Sequence, residues 1–129
     1  MTTNFEKVVE FHKLAGVGQQ PAPCIPDTMD MGLALTLIRE ELLEVEEAFH
    51  QGDVAHFAKE CADLAYVVYR LGIIGGFNMD KVFREVHDSN MSKFCTREEA
   101  DLTRAAYRGK GYGTVCTSLG DGLHIWHNN

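Results

Sequence analysis

Between Arg39 and Asp63 two segments with helical apolar spacing meet at a short turn, His50-Gln51-Gly52-Asp53. Two helices joined by so few residues fold back on each other as a hairpin. Side chains on their facing sides are therefore brought together. The first segment carries Glu40, Glu41, Glu44 and Glu47, and the second carries Glu60 and Asp63. At about 100° per residue, the four glutamates of the first segment fall within an arc of about 120°. Ile38, Leu42, Val45 and Phe49 occupy the opposite side, and Glu46 points away from the other acids. Taken alone, this is an amphipathic helix with a solvated acidic face.

The second segment changes that reading. Glu60 and Asp63, at i and i+3, share a face with Leu64, Val67 and Leu71. Two carboxylates thus lie within an apolar stripe, where an unpartnered charge is costly to desolvate. No lysine or arginine is expected on that stripe beside them. A divalent cation resolves the conflict, because carboxylate oxygens are hard ligands suited to Mg²⁺ or Mn²⁺. Antiparallel packing can turn Glu41 and Glu44 toward Glu60 and Asp63.

The order Glu40-Glu41-x-x-Glu44, then Glu60-x-x-Asp63, resembles the EExxE…ExxD signature of the all-α nucleoside triphosphate pyrophosphohydrolases. These include the MazG-like enzymes, phosphoribosyl-ATP pyrophosphohydrolase and the dimeric dUTPases. Tyr66 just after Asp63 fits the same pattern, as does the run from Val86 through Asn90 to Lys93. The resemblance covers roughly residues 1–95. It implies a mainly α fold, a helical bundle, and hydrolysis of a (d)NTP to the monophosphate and pyrophosphate by attack at the α-phosphorus. Glu41, Glu44, Glu60 and Asp63 would be the ligands of Mg²⁺, with Mn²⁺ as the substitute. Glu40 or Glu41 would orient or deprotonate the attacking water, and Glu47 reads as a solvated spare. Asn90 and Lys93 would meet substrate phosphates, Lys93 as a point charge. Tyr66 joins the substrate contacts, and His12 and Phe11 would help to wall a base pocket. A homodimer or dimer of dimers is the implied assembly. Within the enzyme class, dUTP or phosphoribosyl-ATP are alternative substrates. Outside it, the alternative is a noncatalytic helical dimerisation or metal-binding module, with the acids as surface or stability features.

The 129 residues suit one domain, here read as a catalytic core over residues 1–95 extended by residues 96–129. A net charge of −7 without a basic patch excludes polymeric nucleic acid and anionic membranes as expected partners. The polar N-terminus and the lack of a long apolar run give no sign of secretion or membrane insertion. Cys24, Cys61, Cys95 and Cys116 are widely spaced without a CxxC, as free thiols in a cytoplasmic protein would be.

Along the chain, Thr3 and Glu6 form a capping-box pattern opening a helix over residues 3–14. Residues 15–28 contain Gly16, Gly18, Pro21, Pro23 and Pro26 and read as a loop, either a cover for the acidic site or a connector lying on the bundle. A long helix follows to about His50, and Gly52 ends it. Asp53 caps the next helix, which runs to about Ile74 and looks buried on several sides, partly by another subunit. Asn78 caps a fourth helix over residues 79–94, and Thr96 a fifth, ended by Gly109 and Gly111. Residues 114–117 and 123–126 flank Gly120-Asp121-Gly122 as a β-hairpin. His124 and His127 point to opposite faces of a strand and read as structural rather than as a metal pair.

Overall fold

Local capping chemistry sets most of the helix boundaries. The computed structural model describes residues 1–109, 114–120 and 123–128. Its elements are α1 (Asn4–Leu14), α2 (Thr28–Gln51), α3 (Val54–Ile74), α4 (Met79–Met91), β1 (Phe94–Cys95), α5 (Arg97–Gly109), β2 (Thr114–Gly120) and β3 (Leu123–Asn128). The protein is mainly α with a C-terminal β-hairpin. It divides into two compact units, Met1–Val82 and Phe83–Asn129, with the division inside α4.

In the first unit, the Thr3 hydroxyl accepts from the Glu6 N–H at 3.1 Å and the Glu6 carboxylate accepts from the Thr3 N–H at 3.3 Å, closing the expected box. Asp27 caps α2 by accepting from the Asp30 N–H at 2.8 Å. Gly52 ends α2 with φ at 74°, a left-handed conformation that glycine adopts without steric cost. Asp53 then accepts from the His56 N–H at 3.2 Å and starts α3. One residue thus stops a helix and the next begins another, which fixes the hairpin.

The core lies at the far end of α3. Phe5 and Val8 of α1 meet Ile73, with Val9, Val17, Tyr69 and Met79 around them. The Gly/Pro-rich segment is a connector laid on this end. The Gln20 N–H donates to the Ile73 carbonyl at 3.0 Å, and the Cys24 N–H to the Gly75 carbonyl at 2.9 Å. At Gly76, where φ is 66°, a Cβ would run into the Ala22 carbonyl. These anchors lie about 15–18 Å along the helix direction from Asp63, at 1.5 Å rise per residue.

Two apolar faces are more open than their patterns suggest. On α2 only Ala34 and Ala48 are buried, whereas Leu42, Leu43 and Phe49 are exposed. On α3 burial is confined to Glu60 and to Gly72, Ile73 and Ile74, while Ala58, Ala62, Ala65 and Val68 are exposed in the single chain.

In the second unit, Thr96 and Glu99 form a second capping box at the start of α5, with bonds of 3.2 and 3.3 Å. The sheet has the order β1-β3-β2, antiparallel throughout. β1 has no counterpart in the sequence reading, which runs the fourth helix through Phe94. Instead α4 stops at Met91, and Phe94 and Cys95 pair with Ile125 and His124. The hairpin spans the expected region, with an irregularity between Ser118 and Gly120. The expected turn residues Asp121 and Gly122, and Gly111 after α5, lie outside the described residues.

Candidate metal centre

The hairpin brings three of the four candidate ligands together. One carboxylate oxygen each from Glu41 on α2 and from Glu60 and Asp63 on α3 lie within 4.8 Å of one another. Their exposures differ: the Glu60 side chain is only 7% exposed and that of Asp63 42%. Glu44, the fourth candidate, is exposed and stands outside this trio, but it is close enough to act on Glu41 electrostatically. Glu40 and Glu47 are exposed on the same helix.

The expectation that no cation stands beside Glu60 and Asp63 is wrong. The Lys59 ammonium donates to the Asp63 carboxylate at 2.7 Å and to that of Glu60 at 3.4 Å. Lys59 stands one turn before Asp63 at the edge of the apolar stripe, and its flexible stem brings the charge to both acids. His56 is a further neighbour that sequence reasoning missed. One ring nitrogen lies 3.2 Å from Glu60 and the other 2.9 Å from the Gln51 side-chain oxygen. The i, i+4 spacing of His56 to Glu60 and of Lys59 to Asp63 was the available signal.

The electrostatics fit a cation site. Glu41 is held above the ordinary glutamate pKa, first by desolvation and then by the charges of Asp63, Glu60 and Glu44, with Lys59 acting the other way. Lys59 is raised above the usual lysine value by its hydrogen bonds to Asp63 and Glu60. Three convergent hard oxygen donors, with negative charge in excess and an ammonium drawn toward them, suit a divalent cation. Because metals compete with protons and with Lys59 for the same oxygens, ion binding would depend on pH.

The other candidates lie elsewhere. His12 is buried and turned inward: Nδ1 lies 2.7 Å from the Val8 carbonyl and Nε2 lies 3.4 Å from the Arg70 guanidinium. Tyr66, one turn beyond Asp63, is 37% exposed and meets Phe11 edge to face at 5.9 Å between ring centres. It lines a cleft of about 250 Å³ between α1 and α3 with Asn4, Lys7, Val8, Ala62, Ala65 and Tyr69. Asn4, Lys7 and Tyr69 were not singled out by the sequence, because nothing local pairs the two helices. In the second unit, the Lys93 ammonium donates to the Asn90 side-chain oxygen at 3.1 Å.

The sequence signature of phosphoribosyl-ATP pyrophosphohydrolase matches residues 8–90, including both acid-bearing helices. The chain belongs to that family. It is therefore a member of the all-α nucleoside triphosphate pyrophosphohydrolase superfamily. An uncharacterized protein of Acanthamoeba polyphaga mimivirus is 32% identical over 87 residues, covering 60% of this chain and 33% of the relative. The chain thus spans about a third of the length of the relative it matches.

Among the described residues no helix of this pyrophosphohydrolase-family chain is long and apolar enough to cross a membrane. Cys24 and Cys61 are exposed free thiols, and Cys95 is buried.

Proposed function

We propose that this chain is a Mg²⁺-dependent nucleoside triphosphate pyrophosphohydrolase, converting a (d)NTP and water to the monophosphate and pyrophosphate. The observation that carries the reading is the convergence of Glu41, Glu60 and Asp63 from the two signature helices to within 4.8 Å. These three, with Glu44, would hold the ion. When bound, a divalent ion neutralises triphosphate charge and lowers the pKa of water. Glu40 or Glu41 would orient the attacking water or take its proton.

The cleft beside Tyr66 is the proposed base site. It offers apolar walls with the polar ends of Asn4 and Lys7. Tyr66 and Phe11 present the accessible rings, and His12 would support the wall from behind. The family resemblance assigns Asn90 and Lys93 to the phosphates. Lys93→Ala should then weaken substrate use by about 1.5–3 kcal/mol, the worth of one charged hydrogen bond, without unfolding the protein. Unfolding of that variant would show Lys93 to be structural.

A second substrate, phosphoribosyl-ATP, is favoured by the family match itself. Pyrophosphate release from a panel of dNTPs, NTPs, dUTP and phosphoribosyl-ATP, with Mg²⁺, Mn²⁺ or chelator, tests all of these. Activity with a triphosphate and metal is expected. No turnover of any substrate would leave a noncatalytic helical module as the function.

A homodimer or dimer of dimers is part of the proposal. Its support is the exposure of Leu42, Leu43, Phe49, Val54 and Phe57 on the helical hairpin. Sedimentation as a monomer at micromolar concentration would contradict it.

A further inference from the structure

The C-terminal unit contains a cavity that the acidic hairpin does not use. Arg97, Asp101 and Arg104 stand at i, i+4 and i+7 on α5, one stripe of that helix. Ser118 on β2 and His124 on β3 are cross-strand partners. These five residues line a cavity of about 240 Å³. Arg104 and His124 are partly buried, and Arg97, Asp101 and Ser118 are exposed.

The charge of this cavity runs against that of the chain. The whole protein carries −7, whereas the cavity gathers two guanidinium groups against one carboxylate. Among the described residues the ion pairs are those of His56 and Lys59, and neither Arg97 nor Arg104 takes part in one, with Asp101 or any other acid. Among the described residues neither makes a side-chain hydrogen bond. Each guanidinium carries five N–H donors and no acceptor. The Ser118 hydroxyl and an imidazole nitrogen of His124 add donors from the sheet side. The lining is thus rich in donors that, among the described residues, have no paired acceptor.

The complementary ligand is a compact anion rich in acceptors. A planar guanidinium fork matches phosphate oxygens, and two forks on one helix face can share the charge of one phosphate or of two linked ones. The volume is below that of sites for drug-sized ligands, about 300 Å³ and upward, so it suits a phosphate or diphosphate group rather than a whole nucleotide. Asp101 opposes such a ligand and limits its affinity. We propose that the cavity lined by Arg97, Arg104, Ser118 and His124 binds a phosphate-class anion, either free phosphate or pyrophosphate or the phosphate end of a nucleotide. The assignment stands on these residues alone and not on the hydrolase reading.

Calorimetric titration of the full chain with inorganic pyrophosphate, at low salt and with chelator present, tests it. Chelation removes any anion binding bridged by metal at the acidic hairpin. Saturable binding is expected, weakened at least about tenfold in the Arg97→Gln/Arg104→Gln double variant through loss of charged hydrogen bonds. Asp101→Asn should bind more tightly than the parent, a sign that loss of folding cannot produce. Parallel titrations with inorganic phosphate and a nucleoside monophosphate identify the source: equal affinities mean that only the phosphate group is read, and tighter monophosphate binding means a nucleotide end. Absence of saturable binding of all three anions overturns the proposal. So does a folded double variant that binds like the parent, or an Asp101→Asn protein that binds more weakly.

Discussion

At its C-terminal end α3 is packed. Gly72, Ile73 and Ile74 are buried, Phe5 and Val8 press on Ile73, and the segment before α2 is hydrogen-bonded to the Ile73 and Gly75 carbonyls. Three turns earlier the same helix presents Glu60 and Asp63 to Glu41, beside exposed Ala58, Cys61 and Ala62. The packed end gains stability from apolar burial. The acidic end loses some, because like charges crowd there and Glu60 is desolvated. The helix is rigid enough that packing at one end can hold unfavourable carboxylates at the other. Chemistry and stability are therefore separable along one element, and mutations at the two ends should differ in kind.

The sharpest separation comes from Asp63→Asn and Glu60→Gln. Both keep the shape of the side chain and remove the charge that would bind a cation. Each should reduce pyrophosphate release by about a thousandfold or more, from loss of several kcal/mol of electrostatic stabilisation. Without metal each variant should differ little in stability from the parent, since a repelling carboxylate is gone but its contact with Lys59 is lost with it. Excess Mg²⁺ should raise the melting temperature of the parent and leave the variants almost unmoved. An Asp63→Asn protein with normal turnover and a normal Mg²⁺ response would erase the contrast between the two ends.

The converse substitution is Ile73→Ala. Ile73 is fully buried, so its truncation leaves a cavity and should cost about 2–5 kcal/mol of stability. Turnover per folded molecule should stay near that of the parent below the melting transition. Denaturant unfolding beside the pyrophosphate assay measures both quantities. A large drop in turnover of the folded protein would mean that the packed end positions the acids more directly than helix continuity implies.

The sequence exposes these two ends unequally. The hairpin was legible because Gly52 and Asp53 are stop and start signals placed side by side, and helical angles then put Glu41, Glu60 and Asp63 on converging faces. Helix capping at Thr3 and Thr96 was legible for the same local reason. Lys59 was missed because only the apolar positions of the stripe were followed and the i, i+4 neighbour of Asp63 at its edge was passed over. Helical spacing groups His12 with Phe5, Val8 and Val9, but its partners, Arg70 and the Val8 carbonyl, are not read from that spacing. β1 was hidden because a two-residue strand has no period of its own and exists only by pairing with β3.

A smaller effect tests what Lys59 does at the acidic end. Its ammonium joins Asp63 and Glu60 but is largely exposed, with 68% of the side chain open to solvent, so its worth is limited by screening. Lys59→Gln should lower the melting temperature of the metal-free protein slightly. It should also tighten Mg²⁺ binding by up to about fivefold, because a positive charge that repels the ion and occupies its oxygens is removed. Calorimetric Mg²⁺ titration of parent and variant reads this. Weaker Mg²⁺ binding in the variant would show that Lys59 organises the site rather than competing for it.

The smallest effect is a pH dependence with a definite sign. Glu41 has a folded-state pKa above its ordinary value of 4.5 because burial and the charges of Asp63, Glu60 and Glu44 disfavour its ionised form. A carboxyl group raised on folding adds stability below its unfolded pKa, and that contribution is lost as pH rises through the folded value. The metal-free protein should therefore lose a little stability on going up from about pH 4.5, and Glu41→Gln should remove that slope. A cation reverses the sign, because it binds the ionised carboxylates and so favours the folded state more as pH rises. Melting curves recorded across this range with and without Mg²⁺ should diverge upward in the parent. In Glu41→Gln the divergence should shrink, leaving only what Glu60 and Asp63 contribute. Parallel curves in the parent would mean that the ion does not bind where Glu41 titrates, and the trio would then be a crowded acidic surface held in place by the packed end of the helix.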